Sequence, residues 1–320
     1  MTQQFEIQSP GILSLLQDAG RYGQHTIGLT SGGPMDPLAY KWANRLLNND
    51  ENATVIETTV GGLKLKSNTN TYIAITGAKA VVKINGAIQP QWQTLSIKKD
   101  DVIDIGFASE GCRIYLAVAG GFQVASQFSS TSTVTRENVG GLTGGALKQG
   151  DCLAVSASET PCEILALPTD QIPEYASEVI LRVIPGYQQK EFSRHQQRMF
   201  FYHDYTISEL CDRMGYRLSG PQISCNIDGI LSEGIALGAI QVPKDGQPII
   251  LMNDRQTIGG YPKIGSVLSL DLAKLAQLTQ GAKVRFEPIT IDHAHNLLSL
   301  AQHKFQNTQL EPVAFLDVKL

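Results

Sequence analysis

Long apolar runs are missing from this 320-residue sequence. No apolar stretch approaches the roughly 20 residues that a membrane-spanning helix needs. The opening residues also lack the charged segment followed by an apolar one that marks a secretion signal. These absences predict a cytoplasmic protein that does not enter a membrane.

A surplus of positive charge is missing as well. The 26 lysines and arginines are outnumbered by 30 acidic residues, which leaves a net charge of −4. Proteins that bind nucleic acids usually carry a basic stripe against the phosphates, so we expect no nucleic-acid partner. With 42% hydrophobic and 18% charged residues, the composition is that of a folded globular protein.

Metal-binding and paired-cysteine motifs are also absent. The five cysteines include no Cys-x-x-Cys pair, and several lie in apolar contexts typical of buried, unreactive thiols. The only closely spaced histidines, His293 and His295, fall in a predicted helix, where residues two apart point to different faces. We therefore predict neither a metal site nor a cysteine nucleophile.

What the sequence does contain is many short β-strands, separated by Gly, Asp and Asn. "TYIAITGAKAVVKING" reads as strands with a hairpin turn at Asn85-Gly86. A polar turn that launches an alternating strand recurs at Leu95–Gly106, Gly145–Val155 and Leu275–Ile289. The recurrence predicts a mainly β, β-rich α+β fold with similar barrel-type units.

Few segments have helical spacing. An apolar stripe predicts helices in Asp36–Asp50 and Ser269–Gly281, a short third one in Thr206–Met214, and a C-terminal helix after Thr290. Ser, Thr and Pro punctuate Ser156–Val179, which predicts a division into domains 1–165 and 178–320. The strands do not alternate with helices as in a Rossmann sheet, and no phosphate loop is present.

A first candidate site lies in the glycine-rich stretch "QDAGRYGQHTIGLTSGGPMDPLAY", which carries Asp18, Arg21, Ser31 and Asp36. The stretch leads into a helix N-terminus, whose free N–H groups favour an anion. Alternatively, it is a structured loop in which Asp36 caps the helix and Asp18 pairs with Arg21. The residues leave both interpretations open.

A second candidate site is "CDRMGYRLSG", where Arg213 and Arg217 flank a glycine. Arginines clamp carboxylates bidentately, although an ion pair with Glu209 or Asp212 is the commoner outcome.

The third and densest candidate site is "IILMNDRQTIGGYPKIG", an apolar strand that ends in polar groups. If this strand neighbours "IALGAIQV", then Gln241, Asn253, Arg255 and Gln256 meet at one barrel mouth. A buried polar group without a partner costs about 1–3 kcal/mol, so such a cluster favours a ligand or an internal network. The alternative is a hydrophilic turn exposed to water.

The three clusters together resemble the allophanate-hydrolase-subunit-2-like family, also called the biotin-dependent carboxyltransferase or Kip-type anti-inhibitor family. The resemblance rests on "QDAGRYG", "SGGPMDP", "ANRL", "ETTVGG", "DRMGYRLSG", "GAIQVPKDGQPIILMNDRQTIGGYPKIGSV" and "DLAKLAQLTQGAKVRF", in the family's order. It implies two cyclophilin-like β-barrel domains. Where members often have arginine, this chain has Thr131 and Gly145, which removes two first-domain cations.

The resemblance implies a subunit of a heteromeric, ATP-dependent 5-oxoprolinase that converts 5-oxo-L-proline into L-glutamate. A subunit-1-like (Kip-type inhibitor-like) protein and a third subunit are the implied partners, and the substrate is a small anionic amide. ATP is used by the complex, in a subunit that the sequence does not identify. The implied catalytic residues are Arg255, Asp254 and Gln256, and the implied substrate-binding residues are Asn253, Gln241, Tyr261, Arg213, Arg217, Asp36, Asp18 and Arg21.

The family offers two alternatives. One is the carboxyltransferase half of a biotin-dependent urea or amide carboxylase, or of an allophanate hydrolase-type complex. It needs biotin supplied in trans, because no Ala-Met-Lys-Met segment occurs here. The other is a regulatory antagonist of a histidine-kinase inhibitor.

Overall fold

The computed structural model describes residues 3–156, 164–227 and 229–313. Part of the predicted linker, including Cys162, lies outside the described residues. The chain forms two compact units: one takes in the described residues of Met1–Arg21, Pro37–Glu174 and Thr308–Leu320, the other those of Tyr22–Asp36 and Tyr175–Asn307. Each unit thus draws on separate stretches of the chain, whereas the sequence-based division uses one continuous stretch for each domain.

The first unit is built on a large antiparallel sheet whose strands alternate apolar and polar residues. In the strand from Gly61 to Ser67, for example, Leu63 and Leu65 are buried while Lys64 and Lys66 are partly exposed. Its nine strands are β1 (Gln4–Pro10), β2 (Leu13–Gln17), β3 (Val55–Thr59), β4 (Gly61–Ser67), β5 (Thr71–Ile84), β6 (Ala87–Gln89), β7 (Thr94–Ile97), β8 (Val102–Val118) and β9 (Cys152–Ala154).

The strand order in this sheet is β2-β3-β8-β4-β1-β9, and β5 pairs with β6, β7 and β8. The predicted hairpin turn is confirmed, because β5 and β6 are joined by Asn85 and Gly86, both with positive φ. Among the described strands the sheet does not close into a ring. The other elements of the unit are α1 (Pro37–Arg45), a 3-10 turn (Thr169–Gln171), and the paired short strands β10 (Leu165–Ala166) and β20 (Glu311–Pro312).

The second unit contains a closed barrel of seven strands, which are β11 (Glu178–Pro185), β12 (Tyr205–Cys211), β13 (Gly215–Ser219), β15 (Ala239–Gln241), β16 (Ile249–Leu251), β18 (Lys263–Val267) and β19 (Lys283–Pro288). Their order around the barrel is β11-β18-β15-β16-β13-β12-β19. A separate pair of short strands consists of β14 (Glu233–Gly234) and β17 (Ile258–Gly259).

An apolar core fills the barrel. Leu181, Tyr216, Ile250 and Phe286 belong to it, and so does Met35, although Met35 is far from the barrel strands in sequence. Burying an apolar side chain of this size stabilises the fold by about 1.5–3 kcal/mol. Met35 therefore anchors the Tyr22–Asp36 segment to the second unit.

The helices of the second unit are α2 (Arg194–Tyr202), α3 (Ser269–Ala276) and α4 (Ile291–Asn307), with 3-10 turns at His25–Ile27 and Tyr187–Glu191. The predictions of α1, α3 and the C-terminal α4 are confirmed. With this barrel, the large sheet and few helices, the mainly β fold class is confirmed as well.

The predicted helix over Thr206–Met214 is wrong. Residues Tyr205–Cys211 form β12, which pairs with β13 and β19. Tyr205 and Ile207 point into the core while Thr206 is exposed, so the alternation of period two and the barrel pairing outweigh the helical spacing. The sequence analysis missed α2, in which the Ser193 side chain accepts a hydrogen bond from the Gln196 backbone N–H.

Candidate functional site

Up to Arg255, the polar stretch that follows β16 is buried rather than exposed as a hydrophilic turn, whereas the next residue, Gln256, is exposed. Asn253, Asp254 and Arg255 all have little exposed surface. In this stretch the chain turns back after Leu251, and the three side chains have different partners. Two of them hold the fold together, and the third lines a cavity.

Arg213 and Asp254 form a bidentate ion pair inside the second unit. Arg213 Nε lies 2.9 Å from Asp254 Oδ2, and Nη2 lies 2.9 Å from Oδ1. Arg213 Nη2 also donates to the Gly33 carbonyl at 2.8 Å. Because a buried ion pair is stable only with good geometry and further hydrogen bonds, this contact gives both residues a structural role.

Asn253 also binds the glycine-rich segment that contains Gly33. Its side-chain amide donates to the carbonyls of Gly32 and Pro34, at 3.2 Å and 3.1 Å. Together with Arg213 it fixes the glycine-rich segment against the barrel. In this structure Asn253, Arg213 and Asp254 therefore position the segment, and the predicted catalytic and binding roles of these three residues stay predictions.

Arg255 is different, because its hydrogen bonds go only to backbone carbonyls. Its Nε donates to Ile235 O at 3.1 Å and its Nη1 to Met252 O at 3.3 Å. Among the residues that the structure describes, no carboxylate forms an ion pair with Arg255. Burial lowers the pKa of this guanidinium, although Tyr22 and Asp254 are close enough to oppose the shift. A buried cation without a paired acid favours an anionic ligand.

Arg255 lines a cavity of about 280 Å³ in the second unit. Gln241, Gln256 and Arg217 line it too, which brings together four of the predicted site residues. Arg217 also forms a half-exposed ion pair with Asp245, at 3.1 Å. The rest of the lining is mostly apolar, and its side chains include Leu210, Met214, Ile235, Ile249 and Leu251.

Gln241, at the end of β15, is the second distinctive group in this cavity. Only 5% of its surface is exposed, and none of the described residues accepts a hydrogen bond from its Nε2. An unsatisfied buried donor costs about 1–3 kcal/mol. Gln241 thus offers a hydrogen bond that the described residues do not use.

The strands bring these residues together in a different way from the predicted one. β15 and β16 are antiparallel, with Gln241 opposite Ile249, so the end of one strand lies beside the start of the other. Arg255 reaches the cavity only because the chain reverses after Leu251. Asn253 does not line this cavity, and neither does the half-exposed Tyr261, whose predicted role is untested.

Asp36 is buried in the second unit and accepts two hydrogen bonds there. Tyr175 donates its hydroxyl to Asp36 Oδ2 at 3.1 Å, and Gln277 donates its side-chain amide to the same oxygen at 2.8 Å. Burial raises the pKa of Tyr175, and the neighbouring carboxylate adds to the shift. These contacts give Asp36 a structural role in addition to any ligand contact.

Asp18 and Arg21 belong to the first unit. Asp18 Oδ1 accepts from the Ser130 and Ser132 hydroxyls, each at 2.6 Å, and Arg21 Nη2 donates to the Ser132 carbonyl at 3.0 Å. The Thr131 hydroxyl forms a hydrogen bond with the Thr54 hydroxyl at 2.7 Å. This cluster holds a loop of the first unit in place, and a binding role for Asp18 and Arg21 stays a prediction.

The sequence analysis missed a cluster centred on Glu233, in β14. Its carboxylate is contacted by Lys263 Nζ, by the Tyr187 hydroxyl and, at 3.0 Å, by the Gln188 side-chain amide. The hydrogen bond from Lys263 is the main cause that holds the pKa of Glu233 below its usual range. The one signal in the sequence is a lysine at the start of the apolar strand "KIGSV", which the barrel buries.

The described residues contain no group of three or more His, Cys, Asp or Glu side chains placed to hold a metal ion. In the same part of the chain, no helix combines the length and the apolar character that crossing a membrane requires.

Comparisons with known proteins agree on one family. The family model described as "Carboxyltransferase domain, subdomain A and B" matches residues 27–288, a range that includes every residue lining the Arg255 cavity. The chain is 35% identical to the C subunit of 5-oxoprolinase from Escherichia coli, over 89% of this chain and 91% of that protein. It is also 30% identical to the urea amidolyase of Saccharomyces cerevisiae, of which it spans 17%.

Among solved structures, the chain is similar to the urea carboxylase of Kluyveromyces lactis. The TM-score is 0.91 at 28% identity, over 97% of this chain and 29% of that one. Sequence and structure therefore lead to the same conclusion. The chain belongs to the carboxyltransferase domain family, subdomains A and B.

Proposed function

We propose that this chain is one component of a heteromeric, ATP-dependent 5-oxoprolinase that converts 5-oxo-L-proline into L-glutamate in the cytoplasm. The observation that carries the proposal is the 35% identity to the C subunit of the E. coli 5-oxoprolinase, which covers about nine tenths of both chains. The implied partners are a subunit-1-like protein, which completes the site, and a third subunit.

The proposed chemistry opens an unreactive lactam. The terminal phosphoryl group of ATP is transferred to the lactam oxygen, which makes the carbonyl carbon electrophilic. A water molecule adds to that carbon, the C–N bond breaks with a proton going to nitrogen, and an acyl phosphate remains. A second water releases phosphate and leaves glutamate. ATP is bound by the complex, and we assign its binding to no residue of this chain.

The cavity at Arg255 supports a role for this chain in binding the anionic substrate. Its buried guanidinium has no paired acid among the described residues, and Gln241 has an unused donor. Preorganised groups of this kind stabilise negative charge without reorganising when the ligand arrives.

The proposal is tested by purifying the chain together with its subunit-1-like and third subunits, and then measuring ATP-dependent glutamate release from 5-oxoproline. We expect release by the complete complex and its loss at low substrate concentration with Arg255→Ala, while the complex still assembles. An assembled wild-type complex that leaves 5-oxoproline and ATP unchanged would contradict the proposal.

Carboxyl transfer is a second candidate function, favoured by the family description and by the similarity to urea carboxylase. A biotinylated carrier would act in trans, and Arg255 with Gln256 would hold a carboxylate. The two functions are separated by supplying carboxybiotin carrier protein and urea or another small amide. Carboxylation of the amide, without glutamate release from 5-oxoproline, would favour this second candidate.

A further inference from the structure

We infer that Arg255 and Gln241 anchor the carboxylate of a small ring compound, and that the group that reacts lies outside this cavity. The cavity residues then bind and orient the substrate, and the reaction is carried out by groups at the cavity mouth or on a partner. This inference rests on the proposed function only for the identity of the substrate, 5-oxoproline.

The charge of the ligand follows from Arg255. The side chain is buried, and its two described hydrogen-bond partners are neutral carbonyls. The nearest acid in sequence, Asp254, already accepts hydrogen bonds from Nε and Nη2 of Arg213. Because a buried positive charge is costly without an anion, the cavity favours a ligand that brings one negative charge.

The shape of the anionic group follows from the available donors. Arg255 Nε and Nη1 are engaged, whereas none of the described residues accepts a hydrogen bond from Nη2. Gln241 is among the residues that line the same cavity, and its buried Nε2 is likewise unused by the described residues. A carboxylate has two oxygens, each of which accepts hydrogen bonds, so it can take one bond from each side chain.

The size and the apolar character of the rest of the ligand follow from the apolar side chains that line the cavity and from the cavity volume. Ile235, Ile249 and Leu251 supply an apolar surface beside these donors. A cavity of about 280 Å³ suits a metabolite of a few atoms rather than a nucleotide. A five-membered aliphatic ring that carries a carboxylate can accept hydrogen bonds from these donors and pack its ring against the apolar side chains.

The cavity lacks the groups that would carry out the reaction. Its described lining contains no His, Cys, Lys, Ser or Tyr, and its one acid is Asp212. Asp212 Oδ1 accepts hydrogen bonds from the backbone of Met214 and Gly215, at 2.7 Å and 3.2 Å, which fixes it in a turn. A site whose one carboxylate is held in a turn, and whose other polar side chains are guanidinium and amide groups, favours binding a ligand over transforming it.

The direct test is titration calorimetry of the full chain and of the assembled complex with three ligands. 5-Oxoproline has both the carboxylate and the lactam, cyclopentanecarboxylate has only the carboxylate, and 2-pyrrolidinone has only the lactam. We expect the two carboxylates to bind, and 2-pyrrolidinone to bind at least about tenfold more weakly, as the loss of one charged hydrogen bond implies. Equal binding of 2-pyrrolidinone, or no binding of either carboxylate to chain or complex, would overturn the inference.

Variants then locate the site. Arg255→Gln should weaken carboxylate binding by about 10- to 100-fold, as expected for a lost charged hydrogen bond. Arg198→Gln, which removes a charge on α2 outside this cavity, is the matched control and should bind normally. Equal affinities for the two variants would place the carboxylate elsewhere.

Kinetics separate anchoring from catalysis. In the complex, Arg255→Gln should raise KM for 5-oxoproline while leaving kcat within a few fold, because binding is lost and the reacting groups are intact. A fall in kcat with unchanged KM would assign Arg255 to the reaction itself and overturn the inference. If carboxylates bind but no complex releases glutamate, the proposed function fails and the anchoring subsite stands.

Discussion

At the scale of single residues, the buried pair of Arg213 and Asp254 connects the barrel to the segment that contains Gly33. Both side chains are only 6% exposed, and Arg213 also donates to the Gly33 carbonyl. Removing one member leaves the other as an uncompensated buried charge, which typically costs about 3–5 kcal/mol.

We therefore expect Asp254→Ala to lower the stability of the protein by roughly 3–5 kcal/mol. Urea denaturation followed by circular dichroism measures the change. Asp245→Ala is the matched control, because it removes a half-exposed acid from its ion pair with Arg217 and should cost at most about 1 kcal/mol. Equal losses of stability in the two variants would show that the buried pair stabilises the protein no more than the half-exposed one.

Gln241 leads to a prediction in which stability and binding change in opposite directions. Its Nε2 is buried without an acceptor among the described residues, so Gln241→Met removes an unsatisfied donor while keeping a similar volume. The free protein should be equally stable or more stable, whereas carboxylate binding should weaken by about tenfold. Thermal melts with and without ligand measure both effects, and a clear loss of stability without ligand would indicate a structural role instead.

At the scale of elements, the short pair β14 and β17 lies beside Ile235, which lines the cavity. Arg255 donates to Ile235 just after β14, and the Ile235 backbone N–H donates to the Thr257 carbonyl just before β17. Lys263 holds Glu233 of β14 to the start of barrel strand β18. The position of this strand pair thus sets how closely Ile235 approaches Gln241 and Arg255.

Gly259 in β17 lies where a side chain has no room. A Cβ at this position would lie 2.4 Å from Ile235 Cδ1 and 2.8 Å from Gln241 Nε2. We expect Gly259→Ala to displace Ile235 or Gln241 and to weaken carboxylate binding severalfold. Gly234→Ala in β14 is the control, since a Cβ there meets no atom within 4 Å. Identical calorimetric affinities for the two variants would refute this assignment.

The contact between Lys263 and Glu233 makes the strand pair sensitive to acid. The pKa of Glu233 is held below its usual value, so the contact stabilises the folded state above the ordinary glutamate pKa of about 4.3 and is lost as the pH falls through the lower folded value. Hydrogen exchange of the Ile235 amide should therefore gain an additional acid-dependent opening below pH ~4.3. Glu233→Gln should abolish that dependence, and its persistence in the variant would exclude Glu233 as the cause.

Local patterns predicted several of the elements in which local forces dominate. Asn85-Gly86 predicted a hairpin, and the apolar spacing after Thr290 predicted α4, because turn chemistry and helix periodicity act between near neighbours in sequence. The helix prediction for Thr206–Met214 was wrong because pairing with β13 and β19 decides the structure of β12. The sequence shows none of these pairings.

At the scale of the whole molecule, the sequence predicted the crowded strand tip but not what its side chains contact. Asn253 meets Gly32 and Pro34 across more than two hundred residues, a separation at which no spacing rule operates. Arg255, Gln241 and Gln256 were predicted to share a site, and they do line one cavity. Glu233 and Lys263 went unnoticed because an isolated acid and an isolated lysine form no motif.

The similarity to an enzyme subunit leads to a prediction about whether this chain is active alone. A similar protein is the C subunit of the E. coli 5-oxoprolinase, and the described lining of the Arg255 cavity offers donors and one carboxylate, Asp212, which is held in a turn. A chain that holds the substrate by its carboxylate leaves the lactam to groups supplied by its partners. We therefore expect this chain to be inactive alone and active in the complete complex.

The most direct test is glutamate release from 5-oxoproline and ATP by the purified complex, with the wild-type chain and with Arg255→Gln. We expect turnover by the wild-type complex, none by the chain alone, and a raised KM in the variant. A correctly assembled wild-type complex that releases no glutamate would contradict this expectation.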